Sequence, residues 1–205
     1  MKKLLYIDSC IRNELSRTKR IAAPIVEKLK ERYEVETIVI NELELDPVQY
    51  DENRRRAGGT VSEEALCWAN KIKNADRIVI AAPFWDMSIP AALKTFFELC
   101  SLFGVTFDSD DKTCFGLCKA ENVMFITTRG MRIETGEPLE QATPYLKALF
   151  WLWGIKGFET VARNNFDYLP AEKIEEEISS AIKEGLKNYC NIDLKYSFEI
   201  SEMPV

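Results

Sequence analysis

Apolar runs of strand length recur along the chain, and each is followed by a stretch with helical spacing. "LLYID" (Leu4 to Asp8) reads as a buried strand, and "EVETIVI" (Glu34 to Ile40) as a second. "DRIVIAAP" (Asp76 to Pro83), "NVMFITT" (Asn122 to Thr128) and the shorter "FETVARN" (Phe158 to Asn164) complete the set. Between them, residues 16 to 32 place Ile21, Ile25, Val26 and Leu29 at the 3.6-residue period of an amphipathic helix. Thr60 and Glu63 fit a capping box that opens a helix running to about Ala75. Pro90 sits in the first turn of a helix over 90–103. Thr143 to Gly154 reads as a capped, very apolar helix closed by glycine, and residues 170 to 190 as a charged final helix.

Strands that are apolar on both faces and alternate with helices imply a parallel sheet covered on both sides. The expected fold is α/β, a doubly wound five-stranded parallel sheet in the flavodoxin-like order 2-1-3-4-5, with helices on both faces. Such sheets take their ligands outside the carboxyl ends of the strands, beside strand 1. The loops after strands 1, 3 and 4 are therefore where chemistry is expected. The 205 residues are expected to form one domain, 1–205. Its 41–60 segment is long for a connection, and its 191–205 tail has no assigned role.

Composition narrows the chemistry. The chain has no histidine, which excludes Ser-His-Asp and Cys-His catalysis and any His-ligated metal. Carboxylate, Lys or Tyr chemistry remains, or chemistry carried by a bound cofactor. Six cysteines at irregular spacing, with Cys114 and Cys118 as a lone C-x3-C, read as thiols of a reducing compartment and not as a disulfide framework or a zinc site. A net charge of −6 argues against a nucleic-acid partner, and the dense basic run Arg54-Arg55-Arg56 lies among acidic residues as a solvated loop. The apolar run after Lys2 and Lys3 ends at Asp8, too short for a signal peptide, and no window suits a membrane span. A cytoplasmic protein is expected.

Three loops carry the candidate site. After strand 1, "SCIRNELSRT" (Ser9 to Thr18) gathers hydroxyls and arginines at a helix N-terminus, where free N–H groups and the helix dipole favour a phosphate. Taken alone, Ser16 is better explained as a simple N-cap, with Arg17 and Thr18 solvated. No G-x-G-x-x-G and no Walker loop is present. After strand 3, "PFWDMSIP" (Pro83 to Pro90) offers a rigid aromatic turn that can lie against a flat ring. After strand 4, "TTRGM" (Thr127 to Met131) has a glycine that permits close approach. One phosphate cradle with one flat aromatic wall matches a mononucleotide with a tricyclic ring, FMN.

The same pieces resemble a known family. "SCIRNELSRT", "APFWDMSIPAALKTFFE", "GVTF", "ITTRGM" and "TPYLKALFWLWGI" together are similar to the FMN-dependent NADH-azoreductase and NAD(P)H-quinone reductase family, over about residues 3–184. The resemblance implies a homodimer with FMN at the subunit interface and ping-pong transfer of reducing equivalents from NADH or NADPH to quinones or azo compounds. It implies that Ser9, Ser16, Arg17 and Thr18 hold the phosphate. Pro83, Phe84, Trp85, Asp86 and Met87 would line the ring, with Thr128, Arg129 and Gly130 at its other edge. No side chain is expected to be catalytic, because the flavin itself carries the hydride, and no metal is expected. Three positions depart from the family pattern: Asp86 stands where Asn is common, Met131 where a second Gly is common, and Ile133-Glu134 where some members have His. The competing reading is a flavodoxin-like electron carrier that does not oxidise NAD(P)H directly. A receiver-type signalling domain would need paired carboxylates and a phosphorylatable Asp at the end of a later strand, whereas strand 3 of this chain ends in "AAPFWD".

Overall fold

A computed structural model describes residues 1–46 and 61–201, with side chains of the last helix described through residue 188. The expectations for Thr60, for Arg54 to Arg56 and for most of the 41–60 loop concern residues outside those described. In chain order the elements are β1 (Lys2–Asp8), α1 (Arg17–Leu29), β2 (Tyr33–Val39), α2 (Glu63–Asn74), β3 (Arg77–Ala81) and α3 (Ala91–Cys100). They continue with β4 (Phe107–Ser109), β5 (Cys114–Gly116), β6 (Asn122–Thr128), α4 (Ala142–Leu152), β7 (Gly157–Arg163) and α5 (Ala171–Ser201).

The main sheet has five parallel strands in the order β2-β1-β3-β6-β7. Counted along that sheet alone, this is the expected 2-1-3-4-5. Period-2 side-chain alternation sorts the strand residues into two cores. Leu5, Ile7, Ile78, Ile80, Val123 and Phe125 face α2, α3 and α4, where they meet Ile72, Leu93, Phe97 and Phe150. Leu4, Tyr6, Val79, Ala81, Met124 and Ile126 face α1 and α5, against Ile21, Ile25, Leu29 and Ile178. Each central strand is apolar on both faces because helices cover both.

Four details differ from the sequence reading or extend it. α2 is capped by Ser62, whose Oγ accepts the Ala65 N–H at 3.1 Å. The helix thus starts at Glu63, after the expected Thr60. β4 and β5 form a two-stranded antiparallel hairpin beside the main sheet; three-residue strands are too short to show periodicity. There Gly116 lies against Gly154, and a Cβ on Gly116 would fall 1.9 Å from the Gly154 nitrogen. Gly154 itself, at φ +89°, ends the α4 region as expected of a glycine there. The final helix runs on to Ser201, through much of the stretch read as a tail.

The aromatic centre of the first core is Phe97, fully buried, which meets Phe150 and Trp153 edge-on at 5.8 and 5.9 Å between centroids. Removing its ring leaves a cavity that three elements share. Phe97→Ala is expected to lower the unfolding free energy by about 3–5 kcal/mol, measured by denaturant titration; a loss below about 1 kcal/mol would mean the core collapses around the gap.

Candidate functional site

The loops after β1, β3 and β6 leave the sheet at one edge and are stitched to each other by backbone hydrogen bonds. Ser9 N–H donates to Ala81 O at 2.9 Å, Ala82 N–H to Ile126 O at 3.1 Å, and Phe84 N–H to Thr128 O at 3.2 Å. Arg129 N–H donates to Arg163 O at 2.8 Å, and Phe166 and Asp167 N–H return to the carbonyls of Arg129 and Gly130 at 3.2 and 3.1 Å. The ladder of the sheet therefore persists past its strands.

The β1 loop is built on Asp8. This buried carboxylate accepts the Cys10 N–H at 2.9 Å and pairs with Lys19 Nζ at 3.1 Å, tying the loop to the first turn of α1. Asn13 takes a left-handed φ of +48°, a conformation Asn tolerates. Ser16 is indeed the N-cap: its Oγ accepts the Lys19 N–H at 3.2 Å. The N–H groups of Arg17 and Thr18 lie in the first turn, where helix geometry provides no acceptor. Ser9 Oγ is buried and has no hydrogen-bond partner. An orphaned buried hydroxyl of this kind calls for a ligand or a water.

The β3 loop folds back at Trp85 and Ser88, which exchange N–H···O bonds of 2.9 and 2.8 Å. Asp86 and Met87 between them have φ +48° and +65°. Two successive left-handed residues make a tight mirror-image turn that usually takes Asn-Gly. A Met there is strained, and strain of that sort gathers at binding sites. The Met87 carbonyl accepts the Gln141 N–H at 2.9 Å, which fixes the turn against the entry to α4.

These loops bound a cleft of about 230 Å³. Of the expected residues, Ser16, Arg17 and Thr18 line one end, Pro83, Phe84 and Trp85 one wall, and Thr128, Arg129 and Gly130 the other. Thr18 and Thr128 hydroxyls meet at 2.7 Å across it. Ser9, Asp86 and Met87 are not among the lining residues. Four others are: Ile11, Arg12, Phe166 and Asp167. Arg12 lay within the loop already singled out. Phe166 and Asp167 follow β7, and the rule that ligands sit at strand carboxyl ends would have pointed there had it been applied to the last strand.

Arg129 departs most from expectation. Its backbone lines the cleft, but its guanidinium turns inward and is 1% exposed. It donates to Ile133 O and Thr135 Oγ1, each at 2.8 Å, and lies 3.7 Å from Glu140 Oε1 and 5.4 Å from the centre of the Phe84 ring. Burial pulls its pKa down, and Glu140, Glu134 and Glu137 oppose the shift. Glu140, equally buried, accepts the Thr143 N–H at 2.8 Å and so supplies the cap of α4. The guanidinium thus props Phe84, the 130–135 loop and the start of α4 from behind.

The neighbouring thiol is not poised to react. Burial is the main cause that pushes Cys10 up to about 12, with the Asp8 charge adding to it against the Ser16 and Lys19 contributions. Among the described residues no cluster of His, Cys, Asp or Glu is arranged to hold a metal ion, and no helix is long and apolar enough to cross a membrane.

The chain belongs to the flavodoxin-like fold family, whose sequence profile matches residues 2–188. It is 32% identical over 193 residues to the FMN-dependent NADH:quinone oxidoreductase 2 of Clostridium perfringens, covering 89% of this chain and 97% of that one. In structure it is similar to an azoreductase from Bacillus anthracis str. Sterne, with a TM-score of 0.79 at 24% identity over 91% of this chain and 98% of the other. An FMN-dependent NADH-azoreductase from Bacillus anthracis str. Ames Ancestor, solved in complex with FMN, superposes with a TM-score of 0.77 at 19% identity, over 94% and 99% of the two chains.

Two outcomes follow from the buried groups. Arg129→Met strands Glu140 as an uncompensated buried carboxylate and is expected to cost about 3–5 kcal/mol of stability by denaturant titration. Cys10 and Cys118 ionise near 9.0 when unperturbed and near 12 when folded. Above about pH 9 the unfolded chain releases thiol protons that the folded chain keeps, so stability falls as pH rises from about 9 to about 12. Replacing both cysteines by Ala is expected to lessen that slope in unfolding free energy, with Cys100 and Tyr6, whose pKa values burial also raises, supplying the remainder.

Proposed function

We propose that this protein is an FMN-dependent NAD(P)H oxidoreductase that reduces quinones or azo compounds. The observation that carries the reading is the cleft itself, with a phosphate-shaped end and a flat aromatic wall in one cavity. At the α1 end, two first-turn N–H groups, the Arg17 guanidinium and the Thr18 hydroxyl suit a phosphate dianion, and the orphaned Ser9 Oγ lies buried at the start of the same loop, outside the cleft lining. Phe84 and Trp85 suit a flat ring system, and Gly130 lies on the opposite wall, where the Asp167 carboxylate takes the space of a Cβ. The names of the similar proteins, an FMN-dependent NADH:quinone oxidoreductase and azoreductases, agree with this chemistry. Bound FMN would supply the two-electron redox step, which none of the side chains lining the cleft provides.

The protein's own part is to hold and enclose. Arg17 and the α1 terminus fix the phosphate. The Trp85–Ser88 turn holds Trp85 at the cleft wall, and Arg129 keeps Phe84 in place from beneath. NADH or NADPH and the acceptor would in turn enter from the open side of the cleft, at Trp85 and Met131, both well exposed. Exposed apolar side chains recur in the loops that bound the cleft: Ile11 and Leu15 after β1, Trp85 after β3, and Met131 and Leu139 after β6. Such exposed apolar residues suit a homodimer with the cleft at the interface. We assign the protein to the cytoplasm, in keeping with free thiols at Cys10, Cys67, Cys100, Cys114 and Cys118.

The test is an anaerobic visible spectrum of the FMN-loaded protein. Flavin bands that bleach with NADH or NADPH and return with a quinone bear the reading out. Bands that ignore both nucleotides would make the protein an electron carrier. Arg17→Ala is expected to weaken FMN binding about tenfold while leaving the fold intact by circular dichroism; an unchanged affinity would remove Arg17 from the phosphate site.

A further inference from the structure

The Arg17 guanidinium in the cradle is already engaged. Asp167, 150 residues away in sequence, places Oδ1 3.1 Å from Arg17 Nη1. The guanidinium also lies over the Phe166 ring at 5.3 Å, so it is held in the cleft and not released to solvent. The carboxylate is itself accommodated by design of the backbone. A Cβ on Gly130 would fall 1.9 Å from Asp167 Oδ2, so the acid occupies the space that any other residue at 130 would fill. Asp167 N–H donates to Gly130 O, and a turn with Asn165 at φ +66° and a Tyr168 N–H bond to Asn165 O pins the backbone. The backbone is fixed, while the Asp167 side chain is 64% exposed and free to swing outward.

We propose that Asp167 is a built-in counter-anion of the phosphate cradle: its carboxylate occupies Arg17 until the cofactor's phosphate displaces it, and it thereby sets how tightly the cofactor is held. This rests on the FMN reading above. The chemistry is an exchange of one anion for another at a guanidinium, with no bond made or broken. An exposed ion pair is weak, which is what a displaceable partner requires. A phosphate dianion brings more charge, more acceptor oxygens and the first-turn N–H groups of α1, so it wins the exchange. Once displaced, the carboxylate remains close by and repels the phosphate, which lowers the affinity. Arg12, which also lines the cleft, has no ion-pair partner among the described residues, so Arg17 alone is subject to this competition.

The experiment is a fluorescence-quenching titration of flavin-stripped protein with FMN and, separately, with riboflavin, which lacks the phosphate. Asp167→Asn is expected to bind FMN about fivefold more tightly than the unaltered protein, with riboflavin affinity unchanged and the FMN difference closing at high salt. Asp167→Ala is expected to act in the same direction, since the cause is charge and not shape. The proposal is overturned if both variants bind FMN no more tightly than the unaltered protein, or if FMN and riboflavin tighten alike. An unaltered protein that binds neither flavin would overturn the FMN reading, and the counter-anion role with it.

Discussion

The cleft depends on a backbone ladder that does not stop where the strands stop. Parallel pairing aligns Asp8 with Ala81, Ala81 with Ile126, and Thr128 with Arg163. All four strands therefore end at one edge, and the loops that follow begin side by side. The bonds from Ser9 to Ala81, from Phe84 to Thr128 and from Arg129 to Arg163 carry the pairing one or two residues further. Loops are ordinarily the mobile parts of a fold. Here three of them are stitched into a continuation of the sheet, and a rigid cleft results from segments with little secondary structure.

Behind this ladder the side chains supply a second set of constraints. Arg129 and Glu140 are buried together, and each touches more than one element, although Arg129 Nε and Glu140 Oε2 have no hydrogen-bond partner. The guanidinium satisfies Ile133 O and Thr135 Oγ1 and underlies Phe84, and the carboxylate caps α4. A buried ion pair gains little net stability against apolar residues of the same volume. Its value here is positional: it fixes the wall of the cleft relative to the α4 terminus. The strained turn at Asp86 and Met87 is held by the same neighbourhood, through the Met87 carbonyl and Gln141 N–H. Backbone strain persists only where surrounding contacts determine it, and those contacts are present on both sides of the turn.

The electrostatics run against the overall charge. An acidic chain, with net charge −6, builds a cleft end from Arg12, Arg17 and a helix N-terminus. The pairing of Arg17 with Asp167 tempers that local positive potential in the absence of a ligand, and the pairing of Asp8 with Lys19 holds the loop beneath it. The chemistry compatible with such a site is binding and orientation. Without histidine, and with Cys10 held as a thiol by burial, the cleft offers neither an imidazole nor a thiolate near neutral pH, and its carboxylate, Asp167, is paired with Arg17. A bound redox cofactor fills that gap.

Sequence alone determined the sheet order and the place of the cleft, because apolar period and strand-helix alternation are local signals that survive in one dimension. The N-cap role of Ser16 and the helix stop at Gly154 were legible for the same reason, since each depends on its immediate neighbours. Side-chain direction was not. Arg129 sits in a loop expected to offer it to a ligand, yet its partners Ile133, Thr135 and Glu140 turn it inward, and only packing reveals that pull. The Ser62 cap and the β4–β5 hairpin escaped because their signals are one or two residues long. Phe166 and Asp167 became part of the cleft only when β7 paired with β6 and brought residue 167 beside residue 17. A contact between residues 150 positions apart leaves no trace in periodicity or local propensity; the tertiary fold decides it, because the sheet alone sets which loops become neighbours.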